Sequence, residues 1–506
     1  MKTNITDYLN NTATRFPEKM AVKDIKGEIS FSQLMESGKK IATRLLEMQI
    51  SRKPVAVFMP KSKEAIISFL GINYSGNFYV PLDVKSPIGR VNSILQVLES
   101  EVVITDKEHY EAVKLLGIKV LLVIDEVLLI GDINESAIQI VIEKGLDTDP
   151  IYSIFTSGST GIPKGVVIAH RGVIDYIDWA IFTFQIDENT IIGNQAPFYF
   201  DNSTLDIYLM YATGATLVII PEEIFIFPIK LIDYLNINKV NFVFWVPFIL
   251  INIANLNIFM TKKPEYLLNI LFAGEVMPNK HLNYWRKHLP SSRFANLYGP
   301  TEITVDCTYY VVERMFSDDE SLPIGFPCKN SDVLLLTENN QVAKIEELGE
   351  LCVRGSSLAL GYYNDWERTQ KVFIQNPLNA HYPELIYRTG DLVYMNRFNE
   401  IMFVGRKDSQ IKHNGYRIEL GEIETAVLGT HLVDICSVAY DNKNKQIVLF
   451  YEAKAELPIS DFRKLMLGFI PKYMLPTILF KVEKMPLNSN GKIDRVNLNI
   501  KANSLG

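Results

Sequence analysis

Residues 151–167 read IYSIFTSGSTGIPKGVV, and the middle of that run decides what surrounds it. Thr156, Ser157, Gly158, Ser159, Thr160 and Gly161 gather hydroxyls and glycines into one loop, closed by Lys164 and Gly165 behind Pro163. Glycines let the backbone approach an anion, N–H groups and hydroxyls then donate to phosphate oxygens, and a lysine adds charge. A Ser/Gly surface turn has a similar composition. The lysine locked behind a proline favours the phosphate reading. A Walker loop is excluded, because Lys164 is followed by Gly165 and not by the Ser or Thr that would hold magnesium. β-rich runs flank the loop on both sides.

Working outward, the N-terminal third alternates short apolar runs with helical patterns. Ser30 and Gln33 have capping-box spacing ahead of a helical pattern carrying Phe31, Leu34, Ile41, Leu45 and Leu46. PVAVFM (54–59), EVVITD (101–106) and KVLLVID (119–125) read as strands separated by helices. This alternation predicts an α/β fold with a parallel sheet and right-handed crossovers. At 405–424 the texture changes to GRKDSQIKHNGYRIELGEIE, polar and glycine-punctuated, and a short α+β pattern follows. The boundary is placed at Asp408, giving an N-terminal core of 1–407 and a C-terminal lobe of 408–506.

Composition narrows the function. A chain of 506 residues needs more than one core, and 48% hydrophobic with 22% charged residues is an ordinary globular balance. A net charge of -7 offers no basic face, so no nucleic-acid partner is expected. Cys307, Cys328, Cys352 and Cys436 lack CxxC spacing and read as reduced thiols, with neither disulfides nor a zinc site. The N-terminus has no signal-peptide core, so a cytoplasmic location is expected. Residues 242–260 are apolar enough to suggest a membrane span, but Pro247, Asn252, Asn255 and Asn257 would need partners in lipid. A buried strand entering a pocket-lining helix is the better reading, and no membrane partner is expected.

TSGSTGIPKG resembles the signature loop of the adenylate-forming superfamily, which includes acyl-CoA synthetases, luciferases and the adenylation domains of nonribosomal peptide synthetases. Further motifs follow in family order across nearly the whole chain. They are SGNFYVPLD (75–83) with Pro87 and Arg90, FDNST (200–204), NLYGPTE (296–302), GELCVRGSSLALGYYN (349–364), YRTGD (387–391), the 405–424 segment and PLNSNGKIDR (486–495). The resemblance implies a large N-terminal domain of βαβ-type sheets with a small distorted β-barrel, and a smaller mobile α+β C-terminal domain. It also implies a ligase that uses ATP and Mg2+ to join a carboxylate to the α-phosphate, a meeting of two anions that needs positive charge and oriented donors.

By the same resemblance, Lys492 bridges the substrate carboxylate and the α-phosphate, and Asp391 accepts the ribose hydroxyls with Arg406 nearby. Tyr298 offers an aromatic face for adenine with Gly299 also among the ATP-binding residues, Thr301 donates to the α-phosphate, and Glu302 is a hard oxygen ligand for Mg2+. Thr156, Ser157, Gly158, Ser159, Thr160 and Lys164 hold phosphates, and Asp408 is the hinge about which the lobe turns. One departure stands out: Lys412-His413-Asn414-Gly415 replaces the family's KxRG, which leaves the thiolation step open.

Asp201 in FDNST matches the carboxylate that pairs with a substrate α-ammonium, which points to an amino acid; a helix cap is its ordinary alternative. The resemblance lines the side-chain pocket with Asn202, Leu205, Trp245, Leu271, Ala273, Leu297, Val305 and Asp306. This mostly apolar set is similar to that of free-standing proline-activating enzymes. L-Proline is therefore the first candidate, followed by alanine (including D-alanine) and then serine. Proline alone leaves Asp306 unexplained; it could hold a water or select a hydroxyl or amine. The chain shows no phosphopantetheine serine motif, so a separate carrier protein is the expected acceptor and a monomer the default state. An acyl-CoA synthetase is the rival reading, opposed by Asp201. A non-catalytic binder is opposed by Lys164, Glu302, Asp391 and Lys492 together.

Overall fold

Ser30 opens the helix Phe31–Glu47 by a reciprocal capping box. Its Oγ accepts from Gln33 N–H at 3.3 Å, while Gln33 Oε1 accepts from Ser30 N–H at 3.0 Å. The strands read from sequence follow as Pro54–Phe58, Val102–Thr105 and Val120–Val123. The computed structural model describes residues 2–129, 132–158, 162–408, 410–487 and 493–505.

Two compact units divide the chain. The first comprises Met1–Val84, Leu98–Ile154 and Gly165–Lys407; the second comprises Lys85–Val97, Phe155–Lys164 and Asp408–Gly506. A seven-stranded sheet runs in the order Gly361–Tyr362, Lys164–Ala169, Pro150–Thr156, Phe78–Leu82, Pro54–Phe58, Val102–Thr105, Val120–Val123. The strands Pro150–Thr156 and Lys164–Ala169 are neighbours in this sheet.

A nine-stranded sheet carries three of the expected substrate-site residues, Trp245, Leu271 and Leu297. Its middle strands Arg293–Tyr298, Asn269–Phe272, Phe242–Trp245, Ile191–Asn194 and Thr216–Ile219 are parallel, as expected of strand–helix alternation. Side chains alternate across it. Phe242, Phe244, Leu271, Ala295 and Leu297 share one core with the helices His170–Phe184 and Asn202–Thr213. Val243, Trp245, Ile270 and Phe272 share another with the helices Pro247–Asn255 and Asn279–His288. A third, antiparallel sheet of five strands (Ser331–Leu336, Gly349–Gly355, Phe373–Gln375, Leu385–Met395 and Ile401–Arg406) stands where the small barrel was expected.

The apolar stretch of 242–260 resolves into the strand Phe242–Trp245, the helix Pro247–Asn255 and a short 3-10 turn. Among the described residues no helix is long and apolar enough to cross a membrane. Ile249, Leu250 and Ile253 of that helix pack into the second core.

In the second unit the hairpin Gln410–His413 and Tyr416–Glu419 leads into the helix Leu420–Gly429, and a three-stranded sheet carries the remaining core. Asn414 (φ 53°) and Gly415 (φ 83°) turn that hairpin with His413 opposite Tyr416, the positive-φ pair that a two-residue type I′ turn requires. The departure from KxRG thus builds a tight turn. A contiguous division at 407/408 omits residues 85–97 and 155–164, which belong with the second unit. Arg90 pairs with Glu422, and the Ser157 hydroxyl donates to Arg417 C=O at 2.9 Å and accepts from Glu419 N–H at 3.2 Å.

Candidate active site

Antiparallel register brings Asp391 opposite Arg406. The guanidinium donates to Asp391 Oδ1 at 2.6 Å and to Thr389 C=O at 3.1 Å, while the Tyr298 hydroxyl donates to the other oxygen of Asp391. Burial, then the Asp391 charge, push the Tyr298 phenol well above its ordinary range, so it stays a donor. These three residues form a rigid buried triad, and sequence reading placed all three at the nucleotide.

Glu302 is fully buried in the short turn Thr301–Ile303 and accepts from the Tyr362 hydroxyl at 2.8 Å. Ala359 N–H donates to its backbone carbonyl at 2.9 Å, fixing the turn. A carboxylate offers about four acceptor positions, so one tyrosine does not exhaust it. Among the described residues no cluster of three or more His, Cys, Asp or Glu could cage a metal. A lone carboxylate fits Mg2+, which keeps waters and binds through substrate phosphates.

Asp201 immediately precedes the helix Asn202–Thr213, yet its side chain makes no cap bond and is buried. The capping alternative is therefore not what this residue does. Beside it, Asn202 Nδ2 is buried and finds no hydrogen-bond partner among the described residues.

Asp306 is held by an unusual turn. Thr304 (φ 59°) and Val305 (φ 71°) are consecutive β-branched residues in the left-handed region, a conformation costing on the order of 1–3 kcal/mol each. Asp306 N–H donates to Thr304 C=O at 3.0 Å, closing a γ-turn on Val305, and Thr304 Oγ1 donates to Ser357 C=O at 2.8 Å. Gly299 makes room: a Cβ there would lie 2.3 Å from Val305 O and 2.6 Å from Asp306 Cα. Asp306 Oδ2 accepts from the Tyr176 hydroxyl at 2.6 Å. Tyr176 was not singled out from sequence. Its only signal there is a place among the apolar positions of HRGVIDYIDWAIFTF (170–184).

Leu205, Leu271, Ala273, Leu297 and Val305 lie, with Tyr176, in the large core of the first unit. Trp245 does not join them. It pairs with Phe272, packs edge-on against Phe225 with ring centroids 5.6 Å apart, and donates its indole N–H to Gly193 C=O at 2.9 Å. Phe244, whose register partner is Leu271, shares that core instead. Strand parity is the reason: one residue along a strand changes the face.

Within the second unit, Thr156 Oγ1 is buried and without a partner among the described residues, as suits a hydroxyl awaiting phosphate. Gly158 is buried, and Lys164 begins the strand Lys164–Ala169. Asp408 Oδ1 accepts from Gln410 N–H at 3.2 Å at the start of the hairpin. Ser159, Thr160 and Lys492 lie outside the described residues.

Residues 9–363 match the family described as AMP-binding enzyme. Zwittermicin A synthase ZmaJ of Bacillus cereus is 30% identical over 98% of this chain and 94% of its own length. Tyrocidine synthase 1 of Brevibacillus parabrevis is 31% identical over 97% of this chain, which spans 44% of that larger protein. The adenylation domain AlmE of Vibrio cholerae, solved with glycyl-adenosine-5'-phosphate, shares the fold with a TM-score of 0.85 and 20% identity, covering 100% of this chain and 98% of its own. The α/β fold and the match over residues 9–363 define an adenylate-forming ligase. The chain belongs to the AMP-binding enzyme family.

Proposed function

We propose that the protein activates a small amino acid as its aminoacyl-AMP and then passes the acyl group to the phosphopantetheine thiol of a separate carrier protein. In the first step a carboxylate oxygen attacks the α-phosphorus of ATP and pyrophosphate leaves. In the second the thiol attacks the acyl carbonyl and AMP leaves. Asp201 carries this reading, because a buried carboxylate that caps nothing suits an α-ammonium. The glycyl-adenosine-5'-phosphate of AlmE is an intermediate of the same kind.

Thr301 donates to the phosphate in this scheme, and Lys492 screens the two anions as they meet. Mg2+ held through Glu302 supplies neutralising charge to the phosphates. Asp391, fixed by Arg406 and Tyr298, orients the ribose. The apolar lining keeps the side chain small: L-proline is the first candidate, then alanine or D-alanine, with serine as the polar choice.

Amino-acid-dependent exchange of labelled pyrophosphate into ATP tests the scheme. Lys492→Ala should lower exchange by about 10²–10³ or more, with the fold retained by circular dichroism. Asp201→Ala should raise the amino-acid KM far more than the ATP KM, by about 10–100-fold for a lost charge-assisted bond. Equal effects on both KM values would remove Asp201 from the substrate site, and unchanged exchange in Lys492→Ala would remove that lysine from the chemistry.

A further inference from the structure

We infer that Glu350 is a positioning residue for the nucleotide: it captures the backbone of the bulge that presents Asp391, and so sets how that acid meets the ribose. The inference rests on the reading of Asp391 as the ribose acceptor and goes beyond it to a residue that touches no substrate.

The strand Leu385–Met395 does not run straight past its neighbour Gly349–Gly355. Cys352 pairs with Arg388 and Glu350 with Leu392, so the single residue Leu351 stands against Thr389, Gly390 and Asp391. On the other side Asp391 keeps its partner Arg406, and the register slips again between Leu392 and Val393. Bulges of this kind bend a strand and re-aim a side chain. Gly390 makes the bend at φ 75°, in the left-handed region that glycine adopts without steric cost.

A bulge takes backbone groups out of the ladder, and buried ones then need other partners. Thr389 C=O accepts from the Arg406 guanidinium at 3.1 Å, and Gly390 C=O accepts from Lys407 N–H at 2.9 Å. Asp391 N–H donates to Thr389 Oγ1 at 3.0 Å, and that hydroxyl donates in turn to Leu351 C=O at 2.7 Å. Gly390 N–H donates to a side chain of the neighbouring strand, Glu350 Oε1, at 3.1 Å.

The second oxygen of Glu350 accepts from Arg388 at 2.6 Å and from Lys407 Nζ at 3.3 Å. With the residue only 6% exposed, one buried carboxylate joins Arg388 ahead of the bulge, the bulge glycine itself, and Lys407 beyond the strand Ile401–Arg406. Bonds to a charged group are about twice as strong as neutral ones, so this is the firmest hold on the Gly390 backbone. Arg406 and Tyr298 grip the Asp391 carboxylate, whereas Glu350 grips the chain that carries it. Without Glu350, Gly390 N–H and Arg388 lose their acceptor, and an unsatisfied buried donor drives the bulge to another geometry. A shift of about 1 Å at an orienting group is enough to cost a large factor in its effect.

The test is nucleotide binding by the full-length protein, read by isothermal titration calorimetry with Mg2+ and ATP, 2'-deoxy-ATP or 3'-deoxy-ATP. The wild type should bind at least one deoxy analogue about tenfold or more weaker than ATP, the loss expected for a hydroxyl bonded to a carboxylate. Asp391→Ala should bring that ratio below about threefold. Glu350→Ala should do the same from a distance, weakening ATP about tenfold while the Kd of the deoxy analogue stays within about threefold. A merely structural role would weaken both nucleotides alike. Glu350→Gln keeps an acceptor for Gly390 N–H but turns an amide toward Arg388 or Lys407, so it should show an intermediate ratio, and it decides the question where the alanine variant does not fold. The full wild-type ratio in a folded Glu350 variant, or equal weakening of ATP and its deoxy analogue, overturns the inference; loss of the ratio in Asp391→Ala then still spares the ribose reading. A wild type that binds all three nucleotides equally overturns both.

Discussion

The two faces of the nine-stranded sheet are built from adjacent residues of the same strands, yet they treat polar atoms differently. On the face that carries Trp245 and Phe272, the helices Pro247–Asn255 and Asn279–His288 close the core. There each indole is satisfied by the backbone: Trp245 donates to Gly193 C=O and Trp285 to Leu250 C=O, both at 2.9 Å. On the face that carries Phe244, Leu271 and Leu297, Asn202 Nδ2 and Trp179 Nε1 are buried with no partner among the described residues. Two buried carboxylates, Asp201 and Asp306, belong to the same side. Asn279 Oδ1 and Asn283 Oδ1, on the closed face, are likewise buried with no partner among the described residues. The contrast between the faces therefore lies in Asp201 and Asp306, since a buried carboxylate calls for a donor or an opposite charge.

Substitutions that separate stability from substrate choice sharpen or break this contrast. The largest effect is expected on the closed face. Trp245→Ala should destabilise by about 3–5 kcal/mol through the cavity it leaves, lowering Tm in calorimetry, while the folded enzyme keeps its amino-acid KM. A Trp245→Ala protein of normal stability with an altered amino-acid KM would return that residue to the site.

Next comes the anchor of the site-face helix His170–Phe184. His170 Nδ1 accepts from Ile5 N–H at 3.2 Å, and burial drags its pKa down to about 4, so the ring is neutral in the fold. A pKa lowered on folding stabilises above the unfolded value near 6.5 and loses that contribution as pH falls through about 4. Chemical denaturation from pH 7 to pH 4 should show a loss of about 3 kcal/mol from this group. His170→Asn should flatten that part of the profile, and an unchanged profile would mean another group titrates there.

The smallest stability effect is expected at Gly299. An added Cβ must displace Val305 O, 2.3 Å away, at a cost of about 1–3 kcal/mol. Gly299→Ala should nonetheless raise the amino-acid KM, because the turn that carries Val305 and Asp306 shifts with it. An unchanged amino-acid KM in a folded Gly299→Ala protein would separate the turn from the substrate site.

Much of this was legible in the sequence where the signal is local. The capping box at Ser30 and Gln33 and the parallel strands each depend on residues a few positions apart. The Asp391–Arg406–Tyr298 triad came from motif resemblance, and antiparallel register now gives it a physical basis. Trp245 escaped because motif spacing does not report strand parity, and a shift of one residue changes the face. Tyr176 escaped because one aromatic in a buried helical stripe looks like core. The turn at Thr304 and Val305 contradicts the propensities of both residues, which is where local reasoning fails and functional geometry is common. The grouping of residues 85–97 and 155–164 with the second unit depends on contacts hundreds of positions apart. Asn414-Gly415, read as a missing arginine, carried a plain turn signal.

The most direct test of the central claim is pyrophosphate–ATP exchange by the full-length protein across all proteinogenic amino acids, D-alanine and 4-hydroxyproline, with acids lacking an α-amine as controls. The structure predicts a strong response confined to one or a few small amino acids and none from the controls. Exchange driven by an acid without an α-amine, or by no acid at all from folded protein that binds ATP, would contradict it.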